Sequence, residues 1–271
     1  MGENENKDTN VKATIDAVTG LLNAIPVYQD TLQPAAKQIG NTLETASKLV
    51  NIALFPVRGL VWGYEKIENF VISSVSEKLK NVPEENIVTP PASIAGPAFE
   101  ALRFSGEDVN LRELYTNLLA SAMDSSTQHF VHPAYIEILK NICSDEALLL
   151  QVFTVNNSYP LIDLITVFPN NEGKKIIYKN FSDLDKKSNL KNESLLPTYI
   201  DNLNRLGLTE IPEDKYLTQE NVYDALEKQE LIELARKGIE AINGKLEIDR
   251  KLLRLTNFGK YFIDNVVKDK L

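Results

Sequence analysis

The stretch "GEDVNLRELYTNLLASAMD", residues 106–124, carries the most regular apolar pattern in a chain of 271 residues. Its apolar side chains recur at steps of three and four residues: Leu111, Leu114, Tyr115, Leu118, Leu119 and Ala122. This spacing puts them on one face of an α-helix, and that face must be buried against other elements. Asn110 and Glu113 match the spacing of a capping box, which predicts where the helix starts. We therefore expect a core helix here and a mainly α fold around it.

Prolines divide the chain upstream of this helix. The segment "VTPPASIAGP" (88–97) breaks any incoming helix, and Pro97 suits the first position of a new one. Before it, a second apolar face predicts a long helix that Pro56 would kink. The members of that face are Leu43, Ala46, Val50, Ala53, Leu54, Val57, Val61, Tyr64 and Ile67. We expect a helical bundle over residues 11–155, preceded by a polar, disordered tail over residues 1–10.

The densest apolar segment, "LVNIALFPVRGLVW" (49–62), is a candidate for membrane contact. It contains Arg58 and is shorter than the roughly 20 residues that span a bilayer, so no transmembrane helix is expected. A helix on the membrane surface usually has a polar face rich in Lys and Arg, whereas this region offers only Lys48, Arg58 and Lys66. We favour burial against neighbouring helices and keep a membrane-surface-acting effector as an alternative.

The only tryptophan, Trp62, lies about 100° from Val61 on this predicted helix, at the margin of the apolar face. The interpretation that we favour makes Trp62 a cover for the core. The alternative makes Arg58, Trp62 and Tyr64 an anchor for a partner protein, because Trp and Arg are enriched among residues that dominate binding energy. A homo-oligomer also stays open.

Composition and charge exclude several classes of function. One cysteine cannot form an intramolecular disulfide, and no signal-peptide pattern opens the chain, so we expect a cytoplasmic protein. The net charge of −9 argues against a general affinity for nucleic acid, because Lys and Arg supply most non-specific binding to phosphates. A nucleic-acid role would need a local basic patch.

Both histidines and the cysteine lie within "HFVHPAYIEILKNICSDEALLL" (129–150), which raises the question of a metal or catalytic site. Pro133 suits the first turn of a helix, so Cys143 lies near its far end, roughly 15 Å from His132. That distance opposes a shared zinc ion and a Cys–His pair for catalysis. We expect His132 at a helix start and Cys143 at a helix end, with Ser144 capping the next helix.

Residues 156–271 predict a winged-helix-like domain. The segment 194–211 is a helix that Gly207 ends, and it resembles the recognition helix of a helix-turn-helix. Residues 245–267 predict a two-stranded wing, that is, a small β-hairpin, followed by a last helix, and residues 218–242 predict an extra helix inserted into the wing. The short apolar runs at 161–168 and 174–181 are candidate strands.

A winged helix suggests a DNA-binding regulator as another alternative. The predicted recognition helix presents Asp201, Asn202, Asn204 and Arg205, which is a poor set for contacts with phosphates and bases. The wing is more basic, and it completes the candidate nucleic-acid contacts: Arg205, Arg250, Lys251 and Arg254. We favour a winged helix that contacts protein or only packs.

Motifs of common enzymes are absent from the sequence. It has no phosphate-binding glycine loop, nucleophile elbow, paired-histidine zinc helix or dinucleotide fingerprint. Adjacent acids such as Asp145 and Glu146 diverge by about 100° on a helix and usually mark a solvated face or a first turn. We therefore expect no catalytic residues, no cofactor and no metal.

Four segments together resemble the abortive infection alpha family of bacterial proteins. They are "FPVRGLVWGYEKIENFV", "VPEENIVTPPASIAGPAFEAL", "LRELYTNLLASAMD" and the stretch from residue 129 to 150. In abortive infection, an infected cell halts the propagation of a phage. The resemblance implies a role in defence against phages, but the family has no agreed active site, so it implies no mechanism. We expect a non-enzymatic protein that acts through an unknown protein partner.

Overall fold

The structure is a computed structural model that describes residues 43–58, 65–169 and 173–270. The first six helices are Leu43–Arg58 (α1), Glu65–Leu79 (α2), Ala92–Ser105 (α3), Val109–Ala122 (α4), Ala134–Lys140 (α5) and Ser144–Val152 (α6). Then follow strands Ser158–Val167 (β1) and Lys174–Phe181 (β2), helices Leu184–Ser188 (α7) and Leu196–Arg205 (α8), and strand Thr209–Glu210 (β3). The chain ends in helices Asp224–Glu227 (α9) and Glu230–Glu240 (α10), strand Lys245–Leu255 (β4), helix Asn257–Phe262 (α11) and a π-helical turn, Ile263–Val267.

Helix α4 is the centre of the bundle, as its apolar pattern predicts. It contacts α2, α3, α6 and the π-helical turn, and Leu114, Leu118 and Leu119 are fully buried. Its first turn is capped by Asp108, whose carboxylate accepts hydrogen bonds from the N–H groups of Asn110 and Leu111. The predicted capping box at Asn110 was therefore wrong by two residues, because Asp108 offers an equally good cap one residue before the helix.

Two further helix boundaries differ from the predictions. Helix α3 begins at Ala92, so Pro97 lies inside it and is not its first residue. Pro97 has no N–H, so the helix lacks the hydrogen bond that residue 97 would donate to the carbonyl of Ser93. Helix α6 is capped at Cys143, whose N–H donates to Glu146, and Ser144 is already helical.

The long helix predicted over 43–67 is described on either side of a gap. Helix α1 ends at Arg58 and α2 begins at Glu65, while residues 59–64 lie outside the described residues. Within the part of the chain that the structure describes, no helix is long and apolar enough to cross a membrane.

A four-stranded antiparallel sheet follows the bundle, in the order β2-β1-β4-β3. The candidate strands at 161–168 and 174–181 are confirmed as β1 and β2. The predicted two-stranded wing was wrong, because residues 245–255 form one continuous strand that pairs with β1 along nearly its whole length. The predicted inserted helix is two helices, α9 and α10, and Gly207 follows α8 with a φ of +73°, as expected for a helix stop.

The sheet has a different neighbour on each face. Leu161 and Leu253 belong to one apolar core that continues through the helices of the bundle. Ile162 and Leu164, which point the other way, form a second core with Leu246 and with residues of α9 and α10. Helix α10 supplies Ile232 and Ile239 to this second core.

The end of the chain closes the bundle through polar contacts. Asn117 and Ser121 of α4 donate side-chain hydrogen bonds to the carbonyl groups of Val266 and Asn265, at 3.1 and 2.7 Å. These carbonyls need side-chain partners because they lie where the helical turn ends. The ammonium of Lys270 contacts Asp124 at 3.0 Å, and burial lowers the pKa of Lys270.

Candidate functional site

The candidate partner anchor cannot be located in the structure. Trp62 and Tyr64 lie outside the described residues, and so does the side chain of Arg58. Their role as an anchor stays a prediction.

Helix α8, the predicted recognition helix, uses its polar side chains within the chain. The amide of Asn202 donates to Glu146 at 2.6 Å, and the guanidinium of Arg205 donates to Asn202 at 2.7 Å. The side-chain oxygen of Asn204 accepts a hydrogen bond from Thr209 at 2.6 Å. The contacts with Glu146 and Thr209 hold α8 against α6 and β3, and the Arg205 contact lies within α8, so the groups expected to meet base edges are already engaged.

The three basic candidates of β4 are each paired with a carboxylate. Arg250 forms two hydrogen bonds with Glu227, at 2.6 and 3.0 Å, and this contact raises the pKa of the guanidinium. The other two pairs are Lys251 with Asp163 at 2.8 Å and Arg254 with Glu210 at 2.7 Å. The structure therefore brings Arg250, Lys251 and Arg254 together on one strand, but it neutralises them there.

A polar cleft lies between α8, the segment after β3 and strand β4. It has a volume of about 810 Å³. We call it the sheet cleft, and its lining residues are Lys179, Asp201, Asn204, Thr209, Glu210, Ile211, Pro212, Glu213, Asp214, Lys215, Tyr216, Asp249, Arg250 and Lys251. A second cleft of about 310 Å³, lined by residues 216–224, also reaches Arg250.

A buried ion pair stands beside the sheet cleft. Asp163 of β1 is only 4% exposed, and its carboxylate accepts from the ammonium of Lys251 and from the N–H of Asn180, each at 2.8 Å. Asn180 adopts a φ of +56°, which Asn tolerates better than most residues and which aims its N–H at Asp163. A charged group at this depth is stable only with such partners.

Asp249 is the exposed carboxylate that this arrangement leaves without a cation. Asp249 and Asp163 are direct cross-strand partners, and like charges in that position repel each other. The ammonium of Lys251, two residues along the same strand, is bound to Asp163. No ion pair of Asp249 is present among the described residues. The sheet cleft thus carries uncompensated negative charge next to β4.

The junction between bundle and sheet is built on another buried carboxylate. Asp145, at the start of α6, accepts hydrogen bonds from the N–H groups of Lys191 and Asn192 and from the hydroxyl of Tyr199. Burial acts to raise the pKa of Asp145, but these hydrogen bonds outweigh it and hold the pKa below its usual range. Burial and the neighbouring carboxylate raise the pKa of Tyr199 to about 12.

The histidine and cysteine stretch is part of the packing in the structure. The Nδ1 atom of His132 accepts a hydrogen bond from the N–H of Ala134 at 3.1 Å, and its ring meets Phe258 edge-on at 5.8 Å. The ring of Tyr135 meets Phe262 edge-on at 5.2 Å and lies tilted against Phe258 at 5.3 Å, which attaches this stretch to α11. No cluster of metal-binding side chains occurs within the described ranges.

Sequence reasoning missed the sheet cleft. The signal was a single carboxylate, Asp163, within the apolar run "LIDLITVF", because a buried charge in a strand needs a partner. The identity of that partner depends on the register between β1 and β4, which the sequence alone does not set.

Comparison with known proteins gives one family and one distant structure. Residues 63–266 match the family described as abortive infection alpha. A solved structure of an uncharacterized protein from the hydrocarbon-degrading marine bacterium Alcanivorax borkumensis SK2 is 18% identical, covers 53% of this chain and 96% of that chain, and has a TM-score of 0.34. No curated protein matches. The family match runs from α2 through the sheet to the π-helical turn, and the chain belongs to the abortive infection alpha family.

Proposed function

We propose that this protein is a non-enzymatic component of bacterial defence against phages and that it acts by binding another protein in the cytoplasm. Membership of the abortive infection alpha family supports the role in defence. The choice of a protein over a nucleic acid as partner rests on one observation, which is the pairing of Arg250, Lys251 and Arg254 with carboxylates of the same chain.

Electrostatics supports this choice. Binding to DNA gains most of its affinity when cations of the protein replace the counterions of phosphates. A cation already paired with Glu or Asp has to leave that partner first, which removes much of the gain. For Lys251 the departure would also leave Asp163 buried without its cation, and such a loss typically costs several kcal/mol.

We also propose that α7, α8, β3 and β4 form a variant winged helix used for contact with protein. The order in which β1, β4 and β3 neighbour each other, and the helix pair that precedes β3, support this proposal. The pairing of α8 with α6 through Asn202 and Glu146 directs its polar groups inward, which favours packing over the reading of bases.

Affinity purification of the tagged, full-length chain before and after phage challenge tests the proposal. Lysates are treated with nuclease so that captured proteins are not bridged by nucleic acid. We expect one captured protein whose enrichment rises and falls with the degree of phage protection when variants of this chain are compared. A salt-dependent mobility shift of DNA by the pure chain, with no enriched protein, would instead favour the DNA-binding regulator.

The Trp62 anchor supplies variants for this experiment. Trp62→Ala removes the aromatic ring and Trp62→Phe, the matched control, keeps one. If Trp62 is an anchor, Trp62→Ala loses capture and protection while its melting temperature stays close to that of Trp62→Phe. A large fall in melting temperature would assign Trp62 to the core, and the anchor hypothesis would be wrong.

A further inference from the structure

Strand β4 has one edge that is paired along its length and one that is not. Leu255 donates its N–H to Asn157 on the β1 side, and Thr256 donates to Leu208 on the β3 side. Because backbone groups alternate in direction along an antiparallel strand, odd-numbered residues of β4 point toward β1 and even-numbered residues point the other way. The outward residues are Leu246, Ile248, Arg250, Leu252 and Arg254.

Among the described residues, Arg254 is the one outward residue of β4 with a strand partner. Strand β3 reaches Arg254 through Glu210 and stops there. The next position in this register places Pro212 opposite Leu252, and proline has no N–H to donate. The chain then turns away through Asp214, which has a φ of +53°. Pro212 therefore ends β3 and leaves the rest of the edge open.

The outward backbone groups of Ile248, Arg250 and Leu252 have no partner within the described parts of the chain. No backbone or side-chain hydrogen bond reaches their N–H groups there. Space is present beside Arg250, the middle one of the three, because both the sheet cleft and the smaller cleft reach it. An unpaired strand edge next to open space is the geometry to which an extended peptide adds as a further strand.

Charge beside this edge selects the kind of peptide. Asp249 lies on the cleft side of β4 without a cation, and Glu213 and Asp214 of the facing segment add two carboxylates. Lys215 is the cation on that segment. A Lys or Arg on the added strand, on the same face as Asp249, would offset the repulsion between Asp249 and Asp163.

We propose that the free edge of β4, at residues 248–252, binds an extended segment of a partner protein by strand addition and that a basic side chain of this segment pairs with Asp249. This inference rests on the proposed function, since it names the place and the chemical class of the protein partner. Backbone hydrogen bonds supply affinity, and Asp249 supplies preference for Lys or Arg.

Titration of the full-length chain with short synthetic peptides tests the site. The probe is the capped peptide Thr-Lys-Val-Lys-Val-Lys-Thr, and the charge control replaces each Lys by Glu. A third peptide carries N-methyl groups on alternate residues, so it keeps the charge and loses half of its N–H donors. We expect the Lys peptide to bind and the other two to bind at least about tenfold more weakly, because each loses charge pairing or hydrogen bonds.

Protein variants locate the binding at the edge. Arg250→Pro removes one outward N–H and leaves the ladder with β1 intact, whereas Arg250→Thr, the matched control, removes the same side chain and keeps the N–H. We expect Arg250→Pro to bind the Lys peptide about tenfold more weakly than Arg250→Thr does. We expect Asp249→Asn to reduce the difference between the Lys and Glu peptides. If Arg250→Pro does not fold, the N-methylated peptide still decides the question on the unchanged protein.

Three results would overturn the proposal. The first is equal binding of the Lys peptide and its N-methylated form. The second is unchanged binding by folded Arg250→Pro. The third is a dimer of the chain that Arg250→Pro disperses, which would assign the edge to a second copy. None of these three results would contradict the proposed function. That proposal fails separately, if affinity purification of the unchanged chain after phage challenge enriches no protein.

Discussion

The helical bundle and the outer edge of the sheet differ in whether their polar groups have partners within the chain. In the bundle, Lys78 is nearly buried and its ammonium lies 3.0 Å from both Glu113 and Asp269, and Asp124 is paired with Lys270. In the sheet, Asp249 and the outward N–H groups of β4 have no partner among the described residues. The bundle uses polar contacts between distant parts of the chain to close the fold, whereas the outer edge of β4 leaves polar groups without a partner in the described chain.

Each region also holds a buried amide oxygen without a hydrogen bond. The Oδ1 atom of Asn117 in the bundle is buried without a hydrogen bond, as is the Oδ1 atom of Asn180 in the sheet. Each of these amides satisfies its nitrogen and leaves one oxygen, so a single orphan atom does not mark a binding site. The sheet edge differs because several adjacent groups are open in one direction.

The largest effect on stability is expected from a substitution in the core of the bundle. Leu118→Ala removes a fully buried side chain, and we expect the free energy of unfolding to fall by about 2 to 5 kcal/mol through lost burial and the cavity left behind. Chemical denaturation measures the change. Val109→Ala, on an exposed position of the same helix, is the control and should change stability by less than about 0.5 kcal/mol. Equal effects of the two substitutions would mean that α4 does not face the core.

The junction at Asp145 should give the next largest effect. Asp145→Asn replaces an oxygen that accepts hydrogen bonds by an NH₂ group that faces donors, and we expect a loss of about 2 to 3 kcal/mol at pH 7. Glu193→Gln, on an exposed position nearby, is the control. A loss no greater than that of the control would mean that Lys191, Asn192 and Tyr199 find other acceptors.

The same junction predicts a dependence on pH. The pKa of Asp145 lies below its ordinary value of 3.8, so the unfolded chain takes up the proton more readily than the folded chain does. Its contribution to stability is therefore present above that ordinary value and is lost as the pH falls through the pKa of the folded state. We expect the free energy of unfolding to fall less steeply below pH 4 in Asp145→Asn than in the unchanged protein. Parallel curves would contradict the assignment.

The bundle and the sheet also differ in how much of their structure could be predicted from the sequence. The period of Leu114, Leu118 and Leu119 predicts a core helix, so the place of α4 in the core was predictable. The burial of all residues from 114 to 122, polar ones included, was not, because the pattern indicates only one apolar face. Residues 245–267 were predicted to hold a two-stranded wing, because local residues do not reveal that 245–255 is one strand whose partner is β1, almost ninety positions earlier. The pairing of Asp163 with Lys251 depends on that same register. For this reason the sheet cleft could not be predicted from the sequence, whereas the bundle could.

A smaller effect is expected at His132. An Asn side chain in place of His132 can still accept a hydrogen bond from the N–H of Ala134, and it loses only the ring contact with Phe258. We expect His132→Asn to cost about 0.5 to 1 kcal/mol and to leave phage protection nearly intact. Elemental analysis of the pure protein should find no bound metal. One equivalent of tightly bound zinc, absent from His132→Asn, would contradict this interpretation.

The smallest expected effect on stability is the sharpest test of the open edge. Pro212→Thr restores an N–H opposite Leu252, so one more pair of backbone hydrogen bonds can form between β3 and β4. The gain of these bonds and the greater freedom of the unfolded chain act in opposite directions, and we expect a net change within about 0.5 kcal/mol. Hydrogen exchange should nevertheless show slower exchange of the Leu252 amide in Pro212→Thr. Because β3 then covers part of the edge, binding of the Lys peptide should weaken at the same time. Slower exchange at Leu252 with unchanged peptide binding would place the peptide elsewhere on the molecule.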